Sequence, residues 1–228
     1  VGRSSGGVGI VRRMLAAVAA VAASVLLLTG CQAGLSDEGE PLTVAQSEML
    51  AQTRFQVASR GDVVLHISML ADDDVDHREY EVTLDPVAHV AWGAMLRGPS
   101  SLAVEEAVAF SPTAFLRQVD GQWQTEAVPD PALSVVFALA ADRPENAQLL
   151  RQSDARHLGE VEVDGERQQV FRLPSVDGGG DAVTRLWLDG DGRLRRMDAG
   201  DDERLVILLT DDAPVPRPAG LELGDADG

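Results

Sequence analysis

One thiol stands alone in this chain. Cys31 is the sole cysteine among 228 residues, so no intramolecular disulfide can form and its sulfur is the only soft nucleophile present. Other groups able to do chemistry are plentiful but scattered. His66, His77, His89 and His157 show none of the HxxxH or HExxH spacing that a helix-borne zinc site needs. His77 sits among Asp72, Asp73, Asp74 and Asp76, which reads as a solvated acidic loop rather than a cation site. Asp189-Gly190-Asp191-Gly192 starts like a calcium loop. However, Arg193 holds the next ligand position and Gly200 stands where the twelfth-position carboxylate belongs, so a hairpin turn is the better reading. Gly178-Gly179-Gly180-Asp181 lacks the Lys-Ser/Thr that follows in a phosphate loop, and no Gly-x-Ser-x-Gly elbow occurs. Carboxylates are abundant, but no two are singled out for a shared site. The residues therefore imply no catalytic set, no metal and no cofactor, and the chain reads as a non-enzyme.

The surroundings of Cys31 give that thiol a role. Arg12-Arg13 precedes Met14 to Leu28, fifteen residues without a charge. This is the pattern of a basic n-region and an apolar h-region. It is short for a membrane span, which needs roughly 20 apolar residues. The run closes on Leu28-Thr29-Gly30-Cys31, which resembles the lipobox of bacterial lipoproteins. The resemblance implies a diacylglyceryl group on the Cys31 sulfur and cleavage between Gly30 and Cys31. Two fatty-acyl chains hold a protein stably where one holds it marginally. The expected location is the cell membrane, lipid-anchored on the extracytoplasmic face.

Charge narrows the partners. All 19 basic residues are arginine, against 37 Asp and Glu, and the formal net charge is −18. Arg3, Arg12 and Arg13 belong to the leader, so the remainder is more acidic still. Such a surface repels phosphate backbones and excludes nucleic-acid binding. It also repels anionic headgroups, so the body should not adhere to a membrane by charge, and it favours a basic protein partner. Hydrophobic residues make up 45%, enough for a core, while aromatics make up only 4%. That core must be built mainly of Val, Leu and Ala.

The elements that hold these groups follow from periodicity. Residues 1–30 read as a signal peptide and 31–42 as a lipidated flexible tether. Residues 43–213 read as one α+β domain, and 214–228, rich in Pro, Gly and Asp, as a disordered tail. Thr43-x-x-Gln46 is a capping box for a helix to about Ser59, with Val44, Met49, Leu50 and Val57 as its apolar contributors. Val63, Leu65, Ile67 and Met69 alternate as a strand with one well-buried face. Strands are expected near 79–84, 90–96, 104–110, 114–119 and 122–124. Two short helices should follow, one at Asp130-Pro131 with Leu133, Val136, Phe137 and Ala140, and one from about Pro144 with Leu149 and Leu150. Strands then return to Leu209, punctuated by Asp-Gly turns at 120–121, 164–165 and 189–190, the strongest short hairpin signal. The expected fold is α+β, a curved antiparallel sheet with helices packed on one face.

The chain resembles the LppX/LprAFG family of actinobacterial lipoproteins, whose fold is like that of the carrier LolA. The likeness rests on the lipobox, the helix leading into strand 63–69, and Phe115-Leu116-Arg117-Gln118-Val119-Asp120-Gly121-Gln122-Trp123 ahead of a helical insertion. It also rests on the run from Leu158-Gly159 through Val163-Asp164-Gly165 to Leu186-Trp187-Leu188-Asp189 and the last hairpin. The resemblance implies a half-barrel closed by helices, with an apolar space that holds the acyl chains of an envelope lipid or lipoglycan. Val63, Leu65, Ile67, Met69, Val136 and Phe137 are the residues that would line it. Alternating aliphatics are equally what any packed sheet shows, so these six also read as plain core. In that case the chain is a lipid-anchored protein-interaction module, an accessory subunit or envelope sensor.

Overall fold

The computed structural model describes residues 35–69, 78–97, 104–126, 131–174, 183–200, 205–221 and 223. The leader, Cys31, the acidic loop before Arg78 and the triple-glycine stretch lie outside the described residues.

One sheet organises the described chain. Its strands are β1 (Glu40–Pro41), β2 (Val63–Met69), β3 (Arg78–Asp85), β4 (Val90–Arg97), β5 (Val104–Phe110) and β6 (Phe115–Val119), followed by β7 (Gln122–Glu126) and β8 (Arg156–Val163). The last four are β9 (Glu166–Arg172), β10 (Thr184–Leu188), β11 (Leu194–Ala199) and β12 (Leu205–Thr210). The order across the 12-stranded sheet is β1-β8-β9-β10-β11-β12-β2-β3-β4-β5-β6-β7. Pairing is antiparallel throughout, and β1 and β7 are free edges, so the sheet stays open rather than closing into a barrel. β2 and β12 join the two halves of the chain, with Ile67 opposite Ile207 and Leu65 opposite Leu209.

Local chemistry explains most elements. In helix α1 (Val44–Ser59), Gln46 N donates to Thr43 Oγ1 at 3.3 Å and Thr43 N donates to Gln46 Oε1 at 2.9 Å, the expected capping box. Its buried residues, Ser47, Leu50, Ala51, Thr53 and Val57, keep helical spacing, and Ser47 and Thr53 satisfy their hydroxyls on Val44 O and Met49 O. Val44, expected on the apolar face, is 54% exposed, because it occupies the first turn beside the cap. The turns at Asp120-Gly121 and Asp164-Gly165 have positive φ at both residues (50° and 77°, 52° and 82°), the conformation that matches strand twist in a tight hairpin. At Gly93 the backbones of β3 and β4 come so close that a Cβ would collide with the Glu81 carbonyl oxygen and lie 2.7 Å from Val82 Cα.

The helical insertion is α2 (Pro131–Ser134), a 3₁₀ segment (Val135–Leu139) and α3 (Ala147–Gln152). Pro131 opens α2 as expected. Helix α3 starts at Ala147, later than expected from Pro144, because Asn146 caps it: Oδ1 accepts from Gln148 N at 2.9 Å and Leu149 N at 3.2 Å.

Strand alternation separates two faces. Leu65, Ile67, Tyr80, Val82, Leu84, Met95, Phe110, Leu186, Leu188 and Ile207 share one hydrophobic cluster with Leu50 and Val57 of α1 and with Leu133, Val136 and Leu139. The helices therefore cover this inner face. One chain segment extends the sheet at its edge and another covers part of the outer face. From Ser36 on, the stretch expected as tether lies along β8: Ser36 N donates to Leu158 O at 2.9 Å, β1 pairs with Arg156 and His157, and Leu42 is buried. It shields an edge that would otherwise present unpaired backbone groups. Past Pro214, where a disordered tail was expected, the chain instead crosses β3 and β4. Val215 N donates to Thr83 Oγ1, Val215 O accepts from Trp92 Nε1 at 2.9 Å, and Leu221 and Leu223 join the cluster around Trp92. The indole faces outward from the sheet, and its burial needs this cover.

Candidate functional site

The inner face carries the apolar candidate residues. Val63, Leu65, Ile67 and Met69 project from β2 with 8, 0, 1 and 8% exposure. Strand register sets Leu65 beside Val82 and Ile67 beside Tyr80 on one flank, and Leu209 and Ile207 on the other. The six expected residues are brought together: Val136 is fully buried in the same cluster and Phe137, half-buried, packs against it. Phe137 meets Phe110 edge to face with ring centres 5.9 Å apart. Phe110 in turn stacks on Phe115 and meets the Tyr80 edge, both at 6.2 Å. His89, held at φ 51° in the β3–β4 turn, lies 6.3 Å from Phe137. The aliphatic strip along β2, β3 and β12 thus ends in a patch of aromatic rings under the 3₁₀ segment.

Charged groups bound this apolar floor. Arg117 on β6 pairs with Glu106 at 3.2 Å and with Glu126 on β7. On β11 Arg195 is a hub, donating to Glu166 at 3.2 Å and to Asp211 at 2.9 Å, with Asp189 Oδ2 at 3.5 Å. The hydrogen bond from Arg195 holds the Asp211 carboxyl below its ordinary range, and that same bond raises Arg195. Burial lowers Arg60 and raises Asp62. Asp189 accepts from Asp191 N and Arg193 N, both at 2.9 Å, which makes the Asp-Gly-Asp-Gly stretch a turn closed on its own backbone. On the outer face, buried Asp198 takes Arg196 in two hydrogen bonds of 2.6 and 2.8 Å, and that guanidinium lies 4.7 Å from the Trp187 ring centre.

Among the described residues the histidines are not gathered: His66 faces outward between Leu208 and Glu81, and His157 tilts against Phe171 at 5.3 Å. Among the described residues no group of three or more His, Cys, Asp or Glu could hold a metal ion. One feature escapes a reading of the sequence. Arg54 on α1 reaches Glu145 at 3.2 Å and borders a cleft of about 580 Å³. Its partner is 91 residues away, and only folding brings the two together.

The described chain is thus an open antiparallel sheet with an apolar inner face under short helices. No family model matches it, and no curated protein does. Solved structures similar to it include LprF from Mycobacterium bovis, at 16% identity and a TM-score of 0.47, covering 80% of this chain and 100% of that one. A LolA superfamily protein from Nitrosomonas europaea is 13% identical with a TM-score of 0.31, covering 78% of this chain and 96% of that one. MucB, solved in complex with MucA(peri), is 16% identical with a TM-score of 0.36, covering 80% of this chain and 60% of that one.

Proposed function

We propose that this chain is a non-enzymatic lipoprotein, anchored through a diacylglyceryl group on Cys31 outside the cytoplasmic membrane, that binds or carries a lipid or lipoglycan of the cell envelope. The acyl chain lodges between the inner sheet face and the segment 131–139, against Leu65, Ile67, Val136 and Phe137. One observation carries this reading: a continuous aliphatic face, spanning both halves of the sheet, is closed by α1 and, beside it, by short helical pieces rather than by a second sheet. Pieces of four to six residues have little stability of their own and are held by their apolar side chains. Leu133, Val136 and Leu139 bury about 1.5–3 kcal/mol each. A chain of about ten methylenes gains roughly 8 kcal/mol at ~0.8 per group. The two amounts are of one size, so a lipid can take the place of the cover at modest net expense. The aliphatic lining suits a ligand without fixed shape.

The contact of Phe137, Phe110, Phe115 and Tyr80 favours a second reading, in which the interior stays filled and the anchored body is a protein-interaction module. Solvent extraction of the chain purified from its native envelope separates the two. Co-purified lipid at near one equivalent supports carriage. Lipid-free protein that cross-links in cells to a basic partner supports the module. For the anchor, the intact mass of membrane-extracted protein should equal the chain from Cys31 plus its lipid, and Cys31→Ser should release the protein from the membrane. An unmodified Cys31 would refute the anchor.

A further inference from the structure

A concavity lies away from the residues assigned to the acyl chain. The cleft of about 580 Å³ is walled by α1, the loop 141–146, α3 and Pro174, and its size is that of an ordinary small-ligand pocket. Its polar groups are balanced: Arg54 and Arg143 against Asp142 and Glu145. In a chain of formal charge −18 such local neutrality sets the cleft apart from the surface at large. Arg54 leaves most of its hydrogen-bonding capacity unused. Nη1 donates to Glu145 at 3.2 Å, Nη2 makes a long 3.4 Å bond to Ala140 O, and buried Nε finds no acceptor among the described residues. A guanidinium carries five N–H donors. Arg143 and Asp142 are exposed, and neither has an ion-pair or hydrogen-bond partner among the described residues. Beside them Leu149, 63% exposed, and Pro174 offer flat C–H surface.

We propose that this cleft binds a neutral sugar. An anion entering it would meet Asp142 and Glu145, and a cation would meet Arg54 and Arg143. A pair of neighbouring hydroxyls suits both signs, accepting from a guanidinium while donating to a carboxylate. The C–H face of the ring then lies on Leu149 and Pro174. The sugar belongs either to a free envelope glycan or to the headgroup of a glycolipid. The site uses none of Leu65, Ile67, Val136 and Phe137, so it is tested separately from lipid carriage.

The test is titration of the isotope-labelled full chain carrying Cys31→Ser with maltotriose, mannotriose and octyl β-glucoside below its micelle concentration. Amide resonances of residues 141–149 should shift saturably in the millimolar range. Arg143→Ala, which removes an exposed and unpartnered side chain, should weaken binding about tenfold or more with an unchanged circular dichroism spectrum. Leu149→Trp should strengthen it by giving the ring an aromatic platform. Trisaccharide binding points to a free glycan, and binding of octyl glucoside alone points to a glycolipid headgroup; both uphold sugar recognition. The proposal is overturned if none of the three shifts these resonances, if Arg143→Ala leaves the binding intact, or if inorganic phosphate binds there more tightly than any sugar.

Discussion

Ile67→Ala is the sharpest probe of the inner face. Ile67 is 1% exposed at the middle of β2, paired with Tyr80 on β3 and with Ile207 on β12. The substitution removes three carbons, about 2.4 kcal/mol of transfer free energy at ~0.8 per group. A residual cavity adds to this, because strands paired on both sides cannot collapse onto the gap. The expected loss is about 3 kcal/mol, within the range for Ile→Ala in well-packed cores. For a chain of this size that lowers Tm by about 6–12 °C. Thermal unfolding followed by circular dichroism, on the chain carrying Cys31→Ser, reads it directly. If the inner face also takes an acyl chain, saturating dodecanoate should restore part of the lost Tm, because the ligand binds the folded form and the vacated volume borders its site. A loss under about 1 kcal/mol would refute the packing described for β2.

Three further outcomes follow from the same contacts. Gly93→Ala should destabilise by roughly 1–3 kcal/mol, since its Cβ must push apart β3 and β4 at Glu81 and Val82; chemical denaturation measures it. Deleting residues 214–228 should expose Trp92 and leave Thr83 without its donor, shifting indole emission to the red and costing roughly 2–4 kcal/mol. Asp211 has a depressed pKa, so the stability it contributes is complete above the carboxylate's ordinary value of about 3.9 and disappears as pH falls through its lower folded value. Asp211→Asn should therefore be less stable than the parent at neutral pH, and the gap should close in strong acid. An unchanging gap across an acid titration would contradict the Arg195 pairing.

What was legible in the sequence was what short-range chemistry dictates. Thr43 and Gln46 announce α1 because a capping box needs only neighbouring residues. Asp120-Gly121 and Asp164-Gly165 announce hairpins because few residue pairs accept two positive φ angles. The alternation of Val63 to Met69 gave both the strand and its buried face. The rest depended on tertiary partners. Residues after Pro214 have the composition of a frayed end, yet outward-facing Trp92 and the Thr83 hydroxyl hold them to the sheet. Residues 36–42 read as a linker and gain order from the exposed edge of β8, from Arg172 on β9 and from the burial of Leu42. Arg54 looks like any helical arginine until the fold brings Glu145 and Ala140 to it. Periodicity could place Val136 and Phe137 on a helix, but only the sheet shows that they lie over Phe110.

The central claim is an acyl chain between the inner face and the segment carrying Val136 and Phe137. The most direct measurement is titration of the full chain carrying Cys31→Ser with a fluorescent fatty acid, alone and with Val136→Trp or Phe137→Ala. Saturable binding near one equivalent is expected, abolished by the bulkier residue at position 136 and tightened by the smaller one at 137, with circular dichroism unchanged in both. An absence of saturable binding, or binding indifferent to both substitutions, would contradict it.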